Sequence, residues 1–376
     1  MKLQRKNRRA LALGALAVSG ALALTACGSD DTGGNSDGDG SSATAQAGNI
    51  DCGDAKGQLQ ASGSSAQKNA IDAWVKQYAA ACKGVQVNYN PTGSGAGVTA
   101  FLQGQTAFAG SDSALEAEEI EQSKEMCADG QAIDLPMVGG PIAVAHNVTG
   151  VDDLVLDAPT LAKIFDSKIT NWNDEAIAGL NPDAELPDLK IQAFHRSDES
   201  GTTDNFTTYL QAAAPDDWSY EPSKSWEAKG GQSAQGSSGV AQQVKQTPGA
   251  ISYMELSYAK DGMNTVSIKT EAAEPVAATV ENATAAIGAA KVVGTGKDLA
   301  LELDYTPSAD GAYPIVLVTY EIVCDKGNKS DTLPATKSFL TYMASEDGQS
   351  LLADAGYAPM PEEIITKVRE TVSGLS

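Results

Sequence analysis

Ile191-Gln192-Ala193-Phe194-His195-Arg196-Ser197-Asp198-Glu199-Ser200-Gly201-Thr202-Thr203-Asp204-Asn205-Phe206-Thr207-Thr208-Tyr209-Leu210 passes from an apolar segment through a polar loop into a helical pattern. Ile191, Ala193 and Phe194 form an apolar run that reads as a strand, and the polar run behind them, with one glycine, reads as a tight loop. Phe206, Tyr209 and Leu210 then recur at helical spacing. The first N–H groups of such a helix have no partner within it and carry partial positive charge. An oxyanion placed there is hydrogen-bonded and favoured by the dipole. Ser200, Thr202 and Thr203 add hydroxyls, and Arg196 adds a planar fork of donors matched to phosphate-like oxygens. Taken alone, the stretch reads equally well as a surface turn with an N-cap.

The same pattern occurs elsewhere. Leu59-Gln60-Ala61 begins a strand, Ser62-Gly63-Ser64-Ser65-Ala66-Gln67 is a polar turn, and Ile71, Trp74, Val75, Tyr78 and Cys82 mark an amphipathic helix. Val85–Tyr89 alternates as a strand before Pro91-Thr92-Gly93-Ser94-Gly95-Ala96-Gly97 and a short helix carrying Val98, Phe101 and Leu102. These glycines fit neither the dinucleotide fingerprint nor a P-loop, but they let backbone N–H groups approach a ligand closely. Thr106–Ser113 is an apolar strand ending at Asp112, an acid out of place beside an anion cradle unless it accepts a proton from the ligand. Ile133–Val144 reads as a strand broken by Pro136, Gly139, Gly140 and Pro141, and Gly139-Gly140 reads as a crossing between domains. Residues 143–310 hold a second alternating set, including Leu161–Asp166 and Ile251–Tyr258. Gly230–Gly239 opens a helix-like run at Val240–Gln246 and reads either as part of a ligand cleft or as a plain loop. Tyr313–Tyr320 is a buried strand, and helices at 332–345, 346–355 and 361–374 return to the first domain.

Length and composition frame this pattern. A chain of 376 residues suits two domains of ordinary size. Lys2, Arg5, Lys6, Arg8 and Arg9 precede an apolar run from Ala10 to Ala23 that is too short to span a bilayer, the mark of an export signal at 1–26. Leu24-Thr25-Ala26-Cys27 resembles the lipobox of bacterial lipoproteins, which predicts cleavage before Cys27 and lipidation of it. Residues 27–49 then hold no large apolar side chain until the globular body begins, and form a disordered tether reaching roughly 25 Å. Removing 1–26 takes away five of the 26 basic residues and no acid, leaving 21 against 49 acids and a net charge of −28. That charge excludes nucleic acid as a partner, and it requires any anion site to work through local donors. Cys52, Cys82, Cys127 and Cys324 remain besides Cys27, an even number that in an exported chain predicts two disulfides. Three pairings are possible. Because the helix after the first strand runs back antiparallel to it, Cys82 is expected near Cys52, with roughly 3 kcal/mol from closing that loop. Cys127 is then left for Cys324. No Cys/His cluster supports a metal, and no cofactor is implied.

Six blocks together resemble the PstS family, the phosphate-binding proteins of bacterial ABC phosphate importers. They are Ser62–Ser65, Gly93–Val98, Phe108–Asp112, Lys168–Asp174, Arg196–Thr203 and Pro248–Tyr253, in family order. The resemblance implies an α/β, two-lobed periplasmic-binding-protein fold of type II, with the ligand cleft between lobes joined by two hinge crossings. It divides the chain into lobe I at 50–140 and 312–376 and lobe II at 141–311. It implies phosphate donors at Ser65 and the Ala66 backbone N–H, at Ser94, at Arg196 and at Ser200, Gly201 and Thr202, with Asp112 accepting the phosphate proton and Asp198 orienting Arg196. Ala66 departs from the family, which often carries an aromatic residue there, and the block at 230–239 lacks the family's longer glycine-rich form, so no contact is assigned to it. The implied partners are inorganic phosphate and transmembrane permease subunits, with a lipid-anchored monomer on the outer face of the cytoplasmic membrane. Two alternatives compete: the same fold binding sulfate, molybdate or an organophosphate, and an exported phosphatase or serine hydrolase using Ser94 or Ser200. The second finds only His146 and His195 for a base and no Gly-x-Ser-x-Gly or His-Glu-x-x-His motif. His195 is expected to be structural or solvent-facing, since it sits beside Arg196.

Overall fold

The computed structural model describes residues 50–260 and 262–376, so the export signal, Cys27 and the tether lie outside the described residues. The main sheet has nine strands: β1 (Gly57–Gly63), β2 (Val85–Asn90), β3 (Phe108–Ser111), β4 (Ala132–His146), β5 (Gln192–Arg196), β6 (Gln232–Ala234), β7 (Ala250–Glu255), β8 (Asn264–Thr265) and β9 (Val316–Cys324). Their order is β2-β1-β3-β9-β4-β7-β5-β6, with β8 pairing to β4. Helix α1 (Lys68–Ala81) follows β1, α2 (Ser94–Leu102) follows β2, α3 (Gly201–Ala213) follows β5 and α4 (Gly236–Gln246) follows β6.

The two ends of the sheet share one plan. β1 pairs in parallel with β2 and β3, and β5 pairs in parallel with β6 and β7. Each end is a β-α-β-α-β unit with its first strand in the middle, and the long antiparallel pair of β4 and β9 joins them. Parallel strands need crossover helices, so the loops after the strands gather at their C-terminal ends, where open α/β sheets bind ligands.

Packing follows the apolar spacing. In α1, Ala70, Ile71, Trp74 and Tyr78 are buried, three and four residues apart. Trp74 Nε1 donates to Gly348 O at 2.8 Å and Tyr78 Oη to Ser338 Oγ at 2.8 Å, tying α1 to the tail helices Leu333–Met343 and Glu346–Ala355. The tail also exchanges both backbone bonds between Gly139 and Ala358, at 2.9 and 2.8 Å.

β4 corrects the expectation of a broken strand: it runs unbroken for 15 residues, all buried. Pro136 is tolerated because Tyr320 lies opposite it while Thr319 lies opposite Val138, so Met137 is the extra residue of a bulge where the ladder is already interrupted. Residues 132–141 of β4 pair with β9 and residues 142–146 with β7, so the strand changes partner beside Gly140 and Pro141. The strand expected at 313–320 starts at Val316 and continues to Cys324. Tyr313 instead sends its hydroxyl to Ile142 O at 3.0 Å, and Glu321, a charge-bearing residue inside a buried run, hides the continuation from an apolar reading.

Cys52 is bonded to Cys82 and Cys127 to Cys324, with Cα atoms 5.4 Å apart in each pair. The first closes 30 residues and the second 197. On the chain-entropy model the longer closure restricts the unfolded chain more, up to about 5 kcal/mol against roughly 3. The Cys127→Ala/Cys324→Ala protein should therefore unfold at lower urea concentration than the Cys52→Ala/Cys82→Ala protein, and the opposite order would contradict the entropic account.

Candidate functional site

The loops that leave the parallel strands converge on two hydrogen-bonded nodes. At the first, Ser94 at the start of α2 is buried, and its Oγ accepts from Asp112 N and from Gly201 N, both at 3.1 Å. Three loops thus meet on one hydroxyl: those after β2, β3 and β5. Only glycine fits at 201, since a Cβ there would stand 2.7 Å from Asp112 Cβ and 2.8 Å from Ser94 Oγ. At the second node, Ser65 Oγ lies 3.0 Å from Ser237 Oγ and accepts from Ser237 N at 2.9 Å, joining the loop after β1 to the start of α4.

Arg196, the last residue of β5, is 2% exposed. Its Nε donates to Asp198 Oδ1 at 2.8 Å, Nη2 binds Asp198 Oδ2, and Nη1 reaches Ser237 Oγ at 3.4 Å. Of the five guanidinium N–H groups these contacts use three, leaving one on each terminal nitrogen. Those two form a fork of the kind that grips an oxyanion with two bonds. Gly236 N also donates to Asp198 Oδ1, at 3.0 Å. Burial pushes the Asp198 carboxyl up, but the hydrogen bond and charge of Arg196 outweigh it and hold the group below its ordinary range. Asp198 therefore stays ionised, cancels most of the guanidinium charge and fixes its plane.

Asp112 is 3% exposed. Thr319 Oγ1 donates to its Oδ1 at 2.8 Å and Thr202 Oγ1 to its Oδ2 at 3.2 Å, while Asn205 Nδ2 holds its carbonyl at 2.8 Å. Burial raises its pKa, against the lowering effects of Ser64, Thr319, Arg196 and Thr202. The result is a desolvated carboxyl oriented from both sides and able to accept a proton from a ligand.

The structure brings Ser65, Ser94, Asp112, Arg196, Asp198, Gly201 and Thr202 into this cluster. Two of the named residues, Ser200 and Ala66, also carry bonds within their own loops. Ser200 Oγ accepts from Thr203 N at 3.2 Å, so this hydroxyl caps α3. The Ala66 N–H donates to Ser64 Oγ at 3.0 Å, and its carbonyl accepts from Tyr357 Oη at 2.5 Å. Tyr258 Oη holds the neighbouring Ser65 carbonyl at 2.7 Å, so two tyrosines from elsewhere in the chain brace this turn. His195 is half-buried, stacked on Trp226 with ring centroids 4.8 Å apart, and its Nδ1 faces Arg196 O at 3.0 Å.

Ser237, in the block 230–239 to which the resemblance assigns no ligand contact, bonds to both Ser65 and Arg196. A signal for its place in the cluster is the repeat of the β-α-β-α-β plan, in which α4 is to the second half what α2 is to the first, and Ser237 lies in the first turn of α4 as Ser94 does in that of α2. Thr319 was missed because a threonine inside a buried strand has no local mark of function.

A model of the PBP superfamily domain matches residues 42–347. Phosphate-binding protein PstS 3 of Mycobacterium tuberculosis is 44% identical over 374 residues, spanning 98% of this chain and 99% of that one. The chain belongs to the PstS family. Across a wider distance, phosphate-binding protein PstS of Methanocaldococcus jannaschii is 31% identical over 81% of this chain and 83% of its own. Among solved structures, a phosphate-binding protein from Stenotrophomonas maltophilia superposes with a TM-score of 0.66 at 19% identity, covering 84% of this chain and 93% of that one. At that identity the likeness speaks for the fold alone, and the fold is the type II periplasmic-binding-protein fold of the PstS family. Trp172, in the family block 168–174, donates from Nε1 to Gly249 O at 3.0 Å, so two of the family blocks meet in the core and serve the scaffold.

Proposed function

We propose that this protein binds inorganic phosphate outside the cytoplasm and delivers it to the transmembrane permease subunits of an ABC importer. The observation that carries the reading is the pairing, in one buried cluster, of a two-pronged guanidinium fork at Arg196 with an acceptor at Asp112. A protonated tetrahedral oxyanion satisfies both, and an unprotonated one satisfies only the first. Ser65, Ser94, Ser237, Thr202 and the start of α3 supply the further donors, with Ser200 and Ala66 acting through backbone and cap. The mechanism is binding without chemistry: Ser94 and Ser200 make no bond to a histidine, and His195 turns its Nδ1 to a carbonyl. Phosphate should quench tryptophan fluorescence in a saturable manner while a chromogenic phosphate ester is left intact, and ester turnover without quenching would overturn the reading.

The lobes of this reading are 50–140 with 312–376 and 141–311, with crossings beside Gly140 and residue 311. The change of partner along β4 supports the first crossing. Lys224 from the second segment pairs with Glu119 of the first at 3.2 Å, and Ser113 Oγ donates to Asp204 Oδ2 at 2.5 Å, contacts suited to a closed form. The protein works in this reading as a monomer held to the outer face of the cytoplasmic membrane by lipid on Cys27. Among the described residues no helix is long and apolar enough to cross a membrane. A Cys27→Ala protein should be released into the medium or remain unprocessed, and normal processing with membrane retention would contradict the anchor.

A further inference from the structure

Glu321 takes no part in the cluster described above, yet it is fully buried and neither of its carboxyl oxygens has a hydrogen-bond partner. It lies on β9 two residues beyond Thr319, so the two side chains share a face of the strand, and Thr319 holds Asp112. Its partner across the ladder is Gly110. A Cβ on Gly110 would meet Gln67 Nε2 at 1.8 Å and Tyr89 Oη at 2.6 Å, so the Gln67 amide fills the place of the missing side chain. Directly opposed residues of antiparallel strands point the same way, which sets that amide beside the Glu321 carboxyl.

Gln67 Nε2 donates to Tyr89 Oη at 3.0 Å, and Tyr89 Oη donates to Ser64 O at 2.8 Å. Gln67 Oε1 is buried without a partner. Three acceptor oxygens, two on Glu321 and one on Gln67, thus lie in one dry place, and the donor beside them is the second N–H of the Gln67 amide, which can serve only one of the three. An ionised Glu321 would leave at least two of them unmatched and a charge uncompensated, an arrangement that buried groups avoid. A proton on Glu321 supplies the missing donor. The titratable groups around it are Asp112 from the loop after β3 and Tyr89 from β2, neither of them a cation; burial pushes its ionisation well up, the neighbouring Gln67 amide opposes this only in part, and the Asp112 charge adds to it.

We propose that Glu321 is a neutral carboxylic acid whose O–H donates to Gln67 Oε1, making it a positioning residue for the phosphate site. Through Gln67 and Tyr89 it fixes the Ser64–Ser65 turn, and by staying neutral it keeps a second negative charge away from Asp112. Of two buried acids on one side of the sheet, Asp112 has two hydroxyl donors and the nearby guanidinium, whereas Glu321 has none of these, and that difference divides their roles. The proposal rests on the phosphate reading for its functional half and on the buried geometry alone for its protonation half.

The test uses the full chain as wild type, Glu321→Gln and Glu321→Leu. The infrared difference between wild type and Glu321→Gln at neutral pH should show a protonated carboxyl carbonyl band present only in wild type. In calorimetric titrations with phosphate, Glu321→Gln should bind within about twofold of wild type, and Glu321→Leu, which cannot bond Gln67, should bind about tenfold more weakly. A difference spectrum without that band, or Glu321→Leu binding as tightly as wild type, would overturn the proposal. If Glu321→Leu does not fold, the infrared difference and the Glu321→Gln titration still decide. Absence of phosphate binding by wild type would instead count against the phosphate reading, while the infrared result would still decide the state of Glu321.

Discussion

Replacing Arg196 by alanine weakens phosphate binding at least tenfold, or about 1.4 kcal/mol. The surroundings of the guanidinium set the size of the loss. It is buried at the end of β5, held on one edge by Asp198, and leaves one N–H on each terminal nitrogen for a ligand. In a water-poor site such a two-pronged contact is much stronger than the same pair at a surface. Removing it does more than delete two bonds, because Asp198 then faces the anion as an unpaired buried carboxylate and adds repulsion. Arg196→Lys keeps the charge but loses the planar fork, so it should recover only part of the loss. Calorimetry on the three proteins checks this, and an Arg196→Ala protein with unchanged affinity would place the site elsewhere.

Exchanging Asp112 for asparagine lowers the preference for phosphate over sulfate. Hydrogen phosphate and dihydrogen phosphate each carry a proton that the carboxylate can accept, whereas sulfate near neutral pH carries none and would meet Asp112 charge against charge. A desolvated acceptor left unsatisfied, together with that repulsion, can discriminate by several kcal/mol. Thr319 and Thr202 hold the two oxygens in place from opposite sides, so the carboxyl cannot swing away from the wrong ligand. Asparagine keeps the size and presents a donor, so sulfate should gain relative to phosphate while the fold survives. An unchanged phosphate-to-sulfate ratio in Asp112→Asn would reduce Asp112 to a loop cap.

Most of this site was legible in the sequence because its parts are local. A strand, a small polar loop and a helix leave marks within about 20 residues, and three such marks located the loops at 62–67, 91–97 and 196–203, within which the family resemblance singled out Ser65 and Ser94. Arg196 and Asp198 are two residues apart, and the pairing that the resemblance implied for them is formed. What remained hidden depends on contacts far apart in the chain. Thr319 reaches Asp112 across 207 residues and Ser237 reaches Ser65 across 172, and neither threonine nor serine announces a partner at that range. β4 was misread for a related reason: prolines and glycines carry local breaking tendencies, but here they stand at a bulge and at a change of partner, places that only the paired strands reveal. Glu321 misled the reading of β9 in the opposite sense, since a charged residue type argues against burial unless its proton is considered.

Calorimetric titration of the purified protein with phosphate, arsenate and sulfate at neutral pH separates a site for protonated oxyanions from a general anion site. Phosphate and arsenate, which share a tetrahedral shape and a proton, should each bind at one site and compete with one another. Sulfate should bind more weakly by at least about a hundredfold, the consequence of an unprotonated oxyanion meeting Asp112. Sulfate binding as tightly as phosphate, or phosphate failing to bind, would contradict the account.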